Sequence, residues 1–79
     1  MDNGLGVRLE GARRARLLSQ EELAAASGVG RNTIVRIETG AVGRPHGGTL
    51  RRLAAALDVD PAWLVAGEAA GGMTGKAVV

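Results

Sequence analysis

Five short helices and no sheet follow from three features of this 79-residue sequence. Alanine and leucine dominate while aromatic residues make up only 1%, with Trp63 the sole example, a balance that favours helix over strand. Apolar residues return at intervals of three and four along successive windows, the period of a helix with one buried face. Helix-start and helix-stop residues punctuate those windows. The length suits one small all-α domain with a modest core, not two domains. The expected organisation is a flexible N-terminus at 1–6, a domain at 7–67 and a flexible Gly/Ala-rich tail at 68–79.

The first helix is expected from Val7 to Leu17. Leu9, Ala12, Arg13 and Arg16 fall on one face, so two arginines lie on an otherwise apolar stripe. Gly11 weakens this helix by about 1 kcal/mol relative to alanine. The second helix opens with Ser19-Gln20-Glu21-Glu22, a capping box in which the serine hydroxyl and Glu22 satisfy each other's backbone amides. Leu23, Ala24 and Ser27 continue it, and Gly28 is suited to end it. The third helix is expected from Arg31 to about Thr39, with Gly30 as N-cap and Gly40 beyond its end. Ile34, Ile37 and Glu38 share one face; Arg31, Asn32, Val35 and Arg36 share the other. Residues 40–48 read as a glycine-rich loop carrying Pro45, followed by a fourth helix from Thr49 to Leu57 with the stripe Leu50, Leu53, Ala54 and Leu57. Asp60 as N-cap with Pro61 at the first helical position starts a short fifth helix to about Ala66, stopped by Gly67.

Only Gly28-Val29-Gly30 separates the second helix from the third, the spacing of a helix-turn-helix. A helix lying in the major groove needs an apolar face to dock on its domain and a polar face to read bases, and the third helix offers both. Arg31 and Arg36 can fork onto O6 and N7 of guanine, and Asn32 onto N6 and N7 of adenine, each good pair discriminating by about 1–3 kcal/mol. Thr33 lies beside that face and suits a thymine methyl, a phosphate or a local cap. Val35 suits a thymine methyl or plain exposure. The competing reading of the whole stripe is the solvated face of an ordinary helix.

The run LEGARRARLLSQEELAAASGVGRNTIVRIETG, followed by TLRRLAAALDVDPAWL, resembles the Cro/phage-repressor (Xre-type) helix-turn-helix family over roughly Val7 to Gly67. The LSQEELA segment, the Gly-Val turn, the I-x-x-I-E-x-G close of the third helix and the final LAxAL segment carry the likeness through their order and spacing. The resemblance implies a five-helix, lambda-repressor-like domain that binds duplex DNA, usually as a two-fold dimer on an inverted repeat. It implies that Gln20 contacts a DNA phosphate and braces the reading helix, a role that the start of a helix suits in any case. Arg44, in a G-x-x-x-R-P spacing, resembles a backbone-contacting arginine. Arg51 and Arg52 open the fourth helix; Arg51 is assigned to the DNA backbone and Arg52 is read as solvated, while His46 suits an approach to a phosphate or the minor groove or, as the favoured reading, a plain loop position near a helix start. Arg13 and Glu38 would each be costly to bury alone, and the resemblance pairs these positions in a structural salt bridge. Trp63 and Leu64 are assigned to a dimer interface, with core packing as the alternative for Trp63. Two departures stand out: Leu17 where glycine is common, and Gly30 where serine or threonine usually caps the reading helix.

Composition excludes much else. With no cysteine and one histidine, neither a disulfide framework nor a metal site is expected. There is no Ser/His/Asp set and no acidic cluster, and Gly28-Val29-Gly30 follows no strand, so neither catalysis nor a bound cofactor is expected. Net charge is +2, yet nine of the ten basic residues are arginine, so their placement matters more than their sum. No signal peptide and no apolar run near 18 residues is found, which makes a cytoplasmic protein the expectation. The expected function is a sequence-specific, double-stranded-DNA-binding transcriptional regulator, a repressor that occupies its operator as a homodimer. The alternative is a protein-interaction module, such as an antitoxin or controller, with an unidentified protein partner.

Overall fold

The computed structural model describes residues 4–67, and all the regular structure among them is helical. The expected tail at 68–79, and residues 1–3 of the expected N-terminal arm, lie outside the described residues. Helix α1 is Gly4–Ala15, α2 Gln20–Ser27, α3 Arg31–Glu38, α4 Gly47–Leu57 and α5 Pro61–Ala66. Their contacts form a closed circuit: α3 packs on α2, α2 on α4, α4 on α5, α5 on α1, and α1 back on α3. Inside the circuit lie Leu9, Leu23, Val29, Ile34, Ile37, Leu53, Ala54, Leu57 and Leu64, one to three apolar anchors from each helix plus the turn valine. Full burial of a leucine or isoleucine side chain stabilises by about 1.5–3 kcal/mol. Losing this cluster would therefore dissolve the whole ring rather than one helix.

Helix ends follow their local chemistry. Ser19 is extended and accepts from the Glu22 amide at 2.9 Å, while Glu22 Oε1 accepts from the Ser19 amide at 2.8 Å, completing the capping box. Gly28 closes α2 in the left-handed region at φ 76°, where glycine carries no Cβ penalty. Asp60 caps α5 by accepting from the Ala62 amide at 2.9 Å, with Pro61 at the first helical position.

Two helices begin earlier than their glycines suggest. Helix α1 starts at Gly4 rather than Val7, because Gly6 is buried and Leu5 packs against the core. Helix α4 starts at Gly47 rather than Thr49, its first turn closed by the Leu50 amide donating to the His46 carbonyl at 3.1 Å. In both cases burial outweighs the roughly 1 kcal/mol that each glycine costs a helix interior. Helix α1 also ends earlier than Leu17, at Ala15. Arg16 therefore leaves the apolar stripe and lies exposed, 3.4 Å from Asp58. Leu17 takes φ 59° and is 89% exposed, so a residue with no packing role occupies a left-handed position. Asp58 sits at the same φ as the C-cap of α4.

Arg8 closes the circuit at a place that no local pattern of residues marks. Its Nε donates to the Leu64 carbonyl at 2.9 Å and its Nη2 to the Val65 carbonyl at 2.7 Å. A cation thus satisfies the carbonyls at the C-terminal end of α5, where the helix dipole favours positive charge. The chain then turns through Gly67 at φ 77°, ψ −151°, where an added Cβ would come 3.1 Å from the Arg8 guanidinium.

Candidate nucleic-acid interface

Helix α3 is held from its buried side. Ile34 and Ile37 are fully enclosed, and Glu38, in the last turn, is also buried. A buried carboxylate needs partners, and Glu38 has them on two other helices. Arg13 of α1 donates to it twice, from Nε at 2.7 Å and from Nη2 at 3.0 Å. Gln20, the first residue of α2, donates from Nε2 to Glu38 Oε1 at 3.0 Å. The remaining edge of the Arg13 guanidinium donates from Nη1 to the Leu18 carbonyl at 2.8 Å. The hydrogen bond to Glu38 raises the Arg13 pKa above its already high ordinary value, against the opposing pull of burial. One carboxylate therefore fastens α1, α2 and α3 together.

The opposite side of α3 is open. Arg31, Asn32 and Arg36 are exposed, and Thr33 and Val35 are half-buried at the margins. At about 100° per residue, positions 31, 35, 32 and 36 span a stripe about 140° wide, away from Ile34 and Ile37. Gly30 enters the helix extended, at φ −61° and ψ 144°, and supplies no side-chain cap. The Arg31 Nε lies 3.7 Å from Glu21 Oε2 of α2, with side chains 50% and 77% exposed. The angle between α2 and α3 is fixed by the turn: Val29 is buried, and its amide donates to Ser27 Oγ at 3.1 Å.

The remaining residues singled out in the sequence fall elsewhere. Arg44, in the loop before α4, and Arg51, on α4, are both exposed and line the same shallow concavity of about 340 Å³. Gly47 and Leu50 of α4 and Pro61, Ala62, Val65 and Ala66 of α5 complete its lining. His46 is exposed and is the N-cap of α4 through its backbone only, and Arg52 is exposed on that helix. Trp63 is half-buried and packs against the core. Leu64 corrects an expectation. It is fully buried inside its own chain, so it has no surface to offer a dimer partner. The α5 face turned outward is instead formed by Pro61, Ala62 and Ala66.

Sequence reasoning overlooked Arg8 and Glu21. Arg8 bonds to carbonyls 56 and 57 residues away, a partnership that no local pattern announces. Glu21 had a visible signal: it is the acidic residue of the α2 first turn that the capping box leaves over. Among the described residues, no group of three His, Cys, Asp or Glu side chains could hold a metal ion. No helix among them is long and apolar enough to cross a membrane.

Comparison with known proteins agrees with this architecture. A helix-turn-helix family model matches residues 9–64. The chain is similar to the HTH-type transcriptional regulator PrtR of Pseudomonas aeruginosa, with 41% identity over 68 residues, covering 86% of this chain and 26% of that protein. It is also similar to the uncharacterized HTH-type transcriptional regulator RghRB of Bacillus subtilis, with 44% identity over 54 residues, covering 68% of this chain and 39% of that protein. The chain thus spans between a quarter and two fifths of the length of these relatives. No solved structure gives a significant match. With the match extending from the middle of α1 into α5 and taking in both α2 and α3 with the turn between them, the chain belongs to the Cro/C1-type helix-turn-helix family.

Proposed function

We propose that this chain is a sequence-specific, double-stranded-DNA-binding transcriptional regulator that lays α3 in the major groove. The observation that carries the reading is the division of α3 into a fully buried face and an exposed face bearing Arg31, Asn32 and Arg36. Arg31 and Arg36 contact guanine edges and Asn32 an adenine edge, with Thr33 at the margin. Gln20, Arg44 and Arg51 engage the phosphate backbone, and Glu38 holds Gln20 at the start of α2 for that contact. The protein acts as a cytoplasmic repressor, binding an inverted repeat as a homodimer with reading helices about 34 Å apart. The dimer contact involves Trp63 and the exposed side of α5 rather than Leu64. The two relatives named as transcriptional regulators support this reading.

Selection from a random duplex library, followed by fluorescence anisotropy at two salt concentrations, tests it. An enriched inverted repeat is expected, with the discrimination lost in Arg31→Ala or Arg36→Ala. Salt-sensitive binding without any enriched sequence, or no binding, would refute base reading and leave the protein-interaction alternative, for which partner capture is the next measurement.

A further inference from the structure

The first turn of α2 carries two carboxylates with different employment. Glu22 completes the capping box with Ser19. Glu21 makes no such bond, and its carboxylate stands 3.7 Å from the Arg31 Nε on the exposed side of the helix pair. Exposed pairs of this kind contribute little to folding stability. Its position, by contrast, bears on the helix surface: Arg31 is the first residue of the proposed reading helix.

We infer that Glu21 is a positioning residue that commits Arg31 to a base edge and away from phosphate. The inference rests on the proposed DNA-reading role of α3. A carboxylate on the Nε side of a guanidinium leaves the opposite edge, Nη1 and Nη2, open as a two-pronged donor, the geometry that guanine O6 and N7 accept. The same carboxylate penalises phosphate. A phosphate close enough to pair with Arg31 must approach the Glu21 charge, whereas the neutral guanine edge carries no net charge to be repelled. Neighbouring contacts fix the backbone turn that carries Glu21. Gln20, one residue before it, bonds to Glu38, and Glu22, one residue after it, bonds to the Ser19 amide. Glu21 thus lowers affinity for DNA in general and raises the ratio of specific to non-specific binding.

The test compares the wild type, Glu21→Gln, Arg31→Ala and the double variant on the selected duplex and on a scrambled duplex, each across a salt series. Glu21→Gln is expected to fold as the wild type. It should tighten binding to the scrambled duplex by about three- to fivefold, the scale of coupling in an exposed pair. The selected duplex should gain less, so the specificity ratio falls. The salt slope on the scrambled duplex should steepen by about 0.9, one extra phosphate neutralised. In the Arg31→Ala background the same substitution should leave the ratio unchanged. An equal shift on both duplexes, with or without Arg31, would overturn the positioning role while leaving base reading intact. A wild type that selects no sequence would overturn base reading and the role of Glu21 with it.

Discussion

Removing the Glu38 carboxylate is the sharpest perturbation the fold allows. Glu38→Ala deletes the acceptor of both short Arg13 bonds and of the Gln20 bond. The Arg13 side chain, only 10% exposed, would keep a single hydrogen-bond partner, the Leu18 carbonyl at 2.8 Å, with the Glu10 charge as its remaining electrostatic support. Stranding a buried charge in this way costs about 3–5 kcal/mol. The domain is small, with a radius of gyration of 11.6 Å, so water lies close to every buried group and the lower end of that range applies. A loss of about 3 kcal/mol in a domain of this size lowers the melting midpoint by roughly 12–24 °C. It also consumes a large part of a total stability that rarely exceeds about 0.15 kcal/mol per residue. Thermal and urea unfolding followed by far-ultraviolet circular dichroism would measure it. The double replacement Arg13→Met with Glu38→Leu is the internal control, since an apolar pair of similar volume removes the stranded charge and should recover most of the loss. A midpoint within about 2 °C of wild type for Glu38→Ala alone would refute the reasoning, because it would mean that Arg13 finds water at no cost.

Three further outcomes are expected. Leu17→Gly should raise stability by about 0.5–1 kcal/mol, because the left-handed conformation at φ 59° is relieved and an 89% exposed side chain gives up no packing; chemical denaturation would detect it, and a loss would contradict it. Gly67→Ala should cost about 1–3 kcal/mol, since φ 77° with ψ −151° belongs to glycine and the new methyl would crowd the Arg8 guanidinium at 3.1 Å; unchanged melting would show that the end of α5 yields freely. Arg44→Ala and Arg51→Ala should each weaken DNA binding to a similar degree on every sequence and reduce the salt slope by about 0.9, whereas a sequence-dependent loss would place them at base edges instead.

Local chemistry was legible wherever a helix end depends on its own neighbours. Ser19 with Glu22, Gly28, and Asp60 with Pro61 each specify a boundary within four residues of chain, and α2 and α5 lie where those residues put them. The starts of α1 and α4 were not legible for the complementary reason. Their first turns are imposed by Leu5 and Leu53 packing into the ring and by the burial of Leu50, a tertiary effect that outweighs the low helix propensity of the glycines there. Leu64 was misjudged because an apolar residue near a domain's end fits an interface or a core equally well in one dimension. Only the closure of α5 onto α1 makes it core. The division of α3 into inner and outer faces was readable from period alone, whereas Arg8 capping α5 from the far end of the chain was not.

The three-helix fastening at Glu38 also bears on the entropy of recognition. With α3 tied to α1 through Arg13 and to α2 through Gln20, its position is set before any ligand arrives. What association must still immobilise is the outer ends of a few side chains, at about 0.5–1.5 kcal/mol each, rather than a helix. Calorimetry should therefore find a heat-capacity change that matches the surface covered on contact, without the excess that accompanies folding coupled to binding.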